Sequence, residues 1–104
     1  MDTPFPTWRA IDADLIVSQN PCLLHGLVVL ASSDGGDVTL YAAQEARTAD
    51  KIGRFEGANN ISNPIMFYPP LPCRGGLYAD VGSGITEVLI IYTVLDKNFM
   101  FTQP

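Results

Sequence analysis

The placement of turn-forming residues narrows the fold of this chain more than any other feature. Eight prolines and nine glycines fall between short runs rich in Val, Ile, Leu, Tyr and Thr. That spacing predicts an all-β domain of short antiparallel strands joined by tight turns. At 104 residues the chain is one domain and buries about two-thirds of its unfolded surface. The expected architecture is a single antiparallel β-sandwich of about seven or eight strands, with jelly-roll-like or immunoglobulin-like layering.

Strands are expected over Asp14–Ser18 and Leu23–Ala31, separated by Gln19-Asn20-Pro21. Ser32-Ser33-Asp34-Gly35-Gly36-Asp37 reads as a hairpin turn whose glycines supply positive φ, with Val38–Ala42 returning antiparallel. Ala43–Asp50 is too short and too weakly amphipathic for a packed helix and reads as a loop. Lys51–Glu56 and Ile61–Tyr68 follow as strands, with Pro64 marking an edge or a bulge. Pro69-Pro70-Leu71-Pro72 cannot remain in a central ladder and is expected to cross from one sheet to the other. Cys73-Arg74-Gly75-Gly76 leads into Leu77–Val81, and Gly82-Ser83-Gly84 turns the chain into Ile85–Leu95. The sandwich is placed at residues 13–96, between an extended N-terminal arm at 1–12 and a C-terminal tail at 97–104. Phe5 and Trp8 in the arm, and Phe99, Met100 and Phe101 in the tail, need a surface to dock on and are the candidate partner-binding residues.

Composition supports a docking role. Charged residues make up 16% of the chain and hydrophobic residues 47%, against a usual charged share of about 25%. In Ile85–Leu95 both faces are apolar: Val88, Ile90, Tyr92 and Val94 point one way, and Ile85, Leu89, Ile91 and Leu95 the other. A strand of that kind in a lone sandwich requires a cover on its outer face. The excess of apolar residues therefore implies contact with other subunits or a larger assembly.

The same composition argues against several function classes. A net charge of −5 and a pI near 4.4, with only scattered Lys and Arg, disfavour nucleic acid as a partner. Met1–Ala10 lacks the apolar stretch of a signal peptide, and Val88–Leu95 is too short to cross a bilayer as a helix, so no membrane association is expected. Cys22, His25 and Cys73 are the only soft metal ligands. No fourth ligand is evident, and alternation places Cys22 and His25 on opposite faces of a strand, so no metal is expected. Cys22 and Cys73 each stand just before a strand in this reading. Strands starting at one end of the sandwich could bring them together, as two buried thiols in a reducing compartment or as a disulfide.

No hydrolytic arrangement is apparent. His25 is the only histidine, and Gly82-Ser83-Gly84 reads as a turn rather than a nucleophile elbow. Asp12, Asp14, Asp34 and Asp37 read as solvated turn residues, with too few alternating oxygen ligands for calcium. Gly75-Gly76 does not precede a helix and so does not form a phosphate cradle. Asn60-Ile61-Ser62 matches a glycosylation acceptor triplet, but no secretion signal accompanies it. The expectation is a non-enzymatic protein with no cofactor.

The segments Pro21-Cys22-Leu23-Leu24-His25-Gly26-Leu27-Val28-Val29, Val38-Thr39-Leu40-Tyr41, Lys51-Ile52-Gly53 and Gly75-Gly76-Leu77-Tyr78-Ala79 carry a resemblance. Their order, over roughly Leu15–Leu95, resembles that of small β-sandwich proteins from the structural modules of tailed bacteriophages, of the head decoration or cement type. The resemblance implies a homo-oligomer, with a trimer favoured, that binds the major capsid protein lattice in a virion assembled in the host cytoplasm. It supplies no catalytic residues. The alternative expectation is a tail or adaptor component, or a receptor- or carbohydrate-binding module, with the Ala43–Asp50 and Gly57–Asn60 loops and Tyr41 around a shallow pocket.

Overall fold

A computed structural model describes residues 6–32, 35–57 and 61–95. They form eight strands: β1 (Thr7–Ile11), β2 (Leu15–Ser18), β3 (Cys22–Ala31), β4 (Gly36–Tyr41), β5 (Lys51–Gly57), β6 (Ser62–Cys73), β7 (Leu77–Val81) and β8 (Ile85–Val94). A single 3₁₀ turn, Thr48–Asp50, precedes β5. The strands make two antiparallel four-stranded sheets, one ordered β1-β8-β3-β6 and the other β2-β7-β4-β5. The first contains the three longest strands and is called here the long sheet, the second the short sheet. This is the all-β sandwich that the turn spacing predicts.

The core forms where the inward faces of the two sheets meet. Leu24, Leu27, Val29, Val88 and Ile90 of the long sheet and Val38, Leu40, Leu77 and Ala79 of the short sheet have no accessible surface. Strict alternation along β3 would carry Leu24 inward, then Gly26 and Val28. Instead, pairing with β8 steps from Leu24↔Tyr92 to Gly26↔Ile91, which leaves His25 as an extra residue. This bulge reverses the parity of the strand, so Leu27 and Val29 enter the core while Val28 and Leu30 turn outward.

Glycine is required where two turns meet backbone to backbone. Gly35 and Gly84 have φ of 76° and 84°, and a Cβ on Gly84 would collide with the Gly35 carbonyl. The Ser32 N–H donates to the Gly84 carbonyl at 2.7 Å, which ties the β3–β4 and β7–β8 turns together.

Four expectations are corrected. Val38–Ala42 does not return as a hairpin on Leu23–Ala31, nor Ile85–Leu95 on Leu77–Val81: β3 and β8 belong to the long sheet and β4 and β7 to the short sheet, so both glycine turns carry the chain across the core from one sheet to the other. Residues 1–12 are not a free arm throughout, because Thr7–Ile11 pairs antiparallel with Val88–Tyr92 as the edge strand of the long sheet. No proline interrupts Thr7–Ile11, so each of its N–H groups remains able to join a ladder. The prolines of 69–72 do not cross between sheets. They stay in β6, whose second side carries no partner strand among the described residues and there needs no donors. Between Leu24↔Leu71 and Gly26↔Met66, residues Phe67 to Pro70 stand opposite His25 alone, and the Tyr68–Pro69 peptide is cis. Finally, Cys73 ends β6 rather than leading into β7. Phe5, Phe99, Met100 and Phe101 lie outside the described residues, as do Asp34 and Asn60.

Candidate functional site

Cross-strand register assembles one apolar surface on the outer face of the long sheet. Trp8 and Ala10 of β1 stand opposite Ile91 and Leu89 of β8. These in turn stand opposite Gly26 and Val28 of β3, which pair with Met66 and Pro64 of β6. Trp8 is 68% exposed and Met66 42%, while Val28, Leu89 and Ile91 are half-buried by their lateral neighbours. A Cβ on Gly26 would collide with the Met66 sulfur and the Ile65 carbonyl. The glycine thus gives Met66 the room to lie flat across the sheet. A row of apolar side chains crossing all four strands, with no described element covering it, is the kind of patch that marks a protein contact.

Of the expected partner-binding residues, the structure places Trp8 on this surface. Of the set expected to share one face of β8, Leu89 and Ile91 point outward, whereas Ile85 packs against the core after a register shift between Leu30 and Ala31, and Leu95 is buried. Val94, expected on the face of Val88 and Ile90, is exposed. Val28 and Met66 were not legible in the sequence, because the bulges in β3 and β6 decide their facing and leave no signal in local alternation.

His25 sits at the far end of the same face. Its Nε2 lies 2.7 Å from the Thr93 hydroxyl, and Thr93 is buried, so the pair cross-links β3 to β8. Cys22 and Cys73 occupy the core instead, and no cluster suited to a metal ion occurs among the described residues.

The outer face of the short sheet is polar. Thr39 stands opposite Asp80, and Tyr41 opposite Tyr78, with the two rings 6.2 Å apart. Arg54 donates through Nε to Asp37 at 2.7 Å, its terminal nitrogen also reaches Asp37, and Glu56 lies 3.4 Å away. Asp14 accepts from the Val81 N–H at 2.7 Å and meets Asp80 side chain to side chain. Partial burial, followed by the charge and hydrogen bond of Asp14, raises the Asp80 carboxyl above the usual carboxylate range. Burial and the neighbouring Asp14 and Asp80 likewise raise the Tyr78 hydroxyl. Asp14 and Asp37, read from sequence as solvated turn residues, therefore have defined partners across the sheet.

The loop over residues 43–50 closes an open cleft of about 680 Å³ whose walls include Arg47, Asp50, Pro72 and Arg74. Hydrogen bonds from Ala42 N–H to the Asp50 carbonyl (2.8 Å) and from Gln44 to the Gln19 carbonyl (3.1 Å) fix its rim. The expected pocket joined this loop to Gly57–Asn60 and Tyr41. The structure separates them: Gly57 lines a different, smaller cleft with Ile61 and Ser62, and Tyr41 lies against Tyr78 on the sheet face. Strand order explains the difference, since β6 rather than the β5–β6 turn delivers the second wall.

No protein-family model, curated protein or solved structure matches this chain.

Proposed function

We propose that the chain is a non-enzymatic structural subunit of a tailed-phage virion, of the decoration or cement type, that binds the major capsid protein lattice. The observation that carries this reading is the continuous apolar outer face of the long sheet. Trp8, Met66, Val28, Leu89 and Ile91 span four strands on one side of the molecule. Its occupant is a subunit of the capsid shell, and bridging two such subunits stabilises the shell by shape complementarity. Each large apolar side chain buried there contributes on the order of 1.5–3 kcal/mol, and repetition around the lattice multiplies the effect through avidity. The acidic net charge of −5 keeps the subunit from adhering to packaged DNA. Homo-oligomer formation, with a trimer favoured, belongs to the same proposal.

Removing residues 1–10 is a poor test, because it deletes most of β1 and opens the sheet. Substitution of Ile91→Glu keeps the strand and charges the centre of the face. The full-length protein is expected to co-sediment with purified tailed-phage shells and the variant to lose that binding while melting as a folded domain. A wild-type protein that remains monomeric in native mass spectrometry and binds no shell overturns the reading.

One observation favours the carbohydrate-binding alternative. Tyr41 and Tyr78 form an aromatic ledge beside Asp80, and such a ledge can stack on a sugar ring while the carboxylate accepts from its hydroxyls. Glycan-array binding that Tyr78→Ala abolishes and Ile91→Glu leaves intact would move the function to the short sheet.

A further inference from the structure

We infer that Cys22 and Cys73 form a reversible intrachain disulfide that staples β6 to β3. The two residues are direct partners in the β3–β6 ladder. Opposed residues in an antiparallel pair have Cα atoms about 4.5–5.5 Å apart, inside the range of about 4.4–6.8 Å that a disulfide spans without backbone movement. Both thiols are free and fully buried. Both side chains join the core cluster, so they leave the sheet on the same inward face.

The Cys73 thiol lies 3.7 Å from the Leu71 carbonyl. With a small-molecule disulfide as oxidant, the thiolate of one cysteine displaces one thiol of the oxidant to give a mixed disulfide. The deprotonated sulfur of the other cysteine then attacks the first cysteine's sulfur and displaces the second thiol. Two protein thiols lose two electrons and two protons, and the oxidant disulfide becomes two thiols. Cys73 is the last residue of β6, an edge strand, so local opening of that strand end gives the oxidant access to a buried pair. The bond closes a loop between positions 22 and 73, which links the first and last residues of these strands and removes freedom from the unfolded chain.

This inference is independent of the docking reading. To test it, the full-length reduced protein is unfolded in denaturant and refolded in a buffer of glutathione and glutathione disulfide, which removes any limit set by burial. The refolded monomer is expected to lose the mass of two hydrogens, to give one linked peptide containing Cys22 and Cys73, and to take up no alkylating agent after unfolding. Its thermal midpoint should rise by about 10 °C over the reduced form. A Cys22→Ala/Cys73→Ala protein carried through the same buffers should show no shift. Two alkylatable thiols after refolding, stable adducts of glutathione on either cysteine, or cross-linked dimers would each overturn the inference.

Discussion

The two outer faces of the sandwich are built on the same geometry and carry opposite chemistry. Across the long sheet, pairs such as Trp8↔Ile91, Ala10↔Leu89 and Val28↔Pro64 hold apolar side chains that no described element covers. Across the short sheet, the corresponding positions hold Asp37↔Glu56 and Thr39↔Arg54, and these satisfy one another or water. An antiparallel sheet can leave one face solvated, and the short sheet does so with polar residues. The long sheet does not, and that asymmetry locates the low charge content in a single surface.

The largest effect should distinguish the two sides of β8. Ile90→Ala removes a fully buried side chain and should cost about 2–5 kcal/mol in denaturant unfolding. Ile91→Ala, on the outer face, should cost about 1 kcal/mol or less. Equal losses would mean that the outer face is as well packed as the core, and that no docking surface exists. Next in size, Trp8→Ala should weaken shell binding about tenfold or more with little change in stability, whereas Tyr41→Ala should leave binding unchanged. If the two variants behave alike, the contrast between the faces has no functional meaning.

Smaller effects probe the polar face. The raised Asp80 carboxyl binds its proton more tightly in the folded than in the unfolded chain. Its stabilising contribution is therefore complete below the ordinary carboxylate range and is lost as pH rises through the folded value. Asp80→Asn should thus raise the thermal midpoint by a degree or two at neutral pH, and the advantage should shrink as the pH falls through the raised folded value and be gone below about 4. An advantage that grows on acidification would show that the Asp14–Asp80 contact is not repulsive. Of similar size, Arg54→Ala should lower stability by about 0.2–0.5 kcal/mol, because its pairs with Asp37 and Glu56 are solvent-exposed. A larger loss would show that the ion-pair row holds the short sheet together.

Much of the sandwich was legible from local signals. Gly35 and Gly84 announce tight turns because positive φ is cheap only for glycine, but whether such a turn closes a hairpin or crosses between sheets is not a local signal, and both of these cross. Three further features were not legible, each for a non-local reason. Thr7–Ile11 is short and follows two prolines, so only its ladder with β8 identifies it as a strand. The prolines of β6 read as a break, because their tolerance depends on being at an edge, a fact of strand order. The Cys22↔Cys73 pairing depends on the register of strands that are distant in sequence. For the candidate surface, sequence identified Trp8, Leu89 and Ile91, while Ile85 and Leu95, read as sharing a face with the latter two, are packed inward. Val28 and Met66 join the surface only because a bulge at His25 reverses the parity of β3.

The two ends of the long sheet differ in a way that limits how copies of this molecule could join through their backbones. One edge, β6, has Pro64, Pro69, Pro70 and Pro72 among its twelve residues and cannot donate a regular ladder to a neighbour. The other, β1, contains no proline, and no strand among the described residues pairs with its outer side. A ribbon of sheets needs two receptive edges per molecule to lengthen indefinitely. With only one, any edge-to-edge association of the long sheet stops at a pair of copies, so the molecule can expose a sheet edge at high local concentration without seeding a fibre through it.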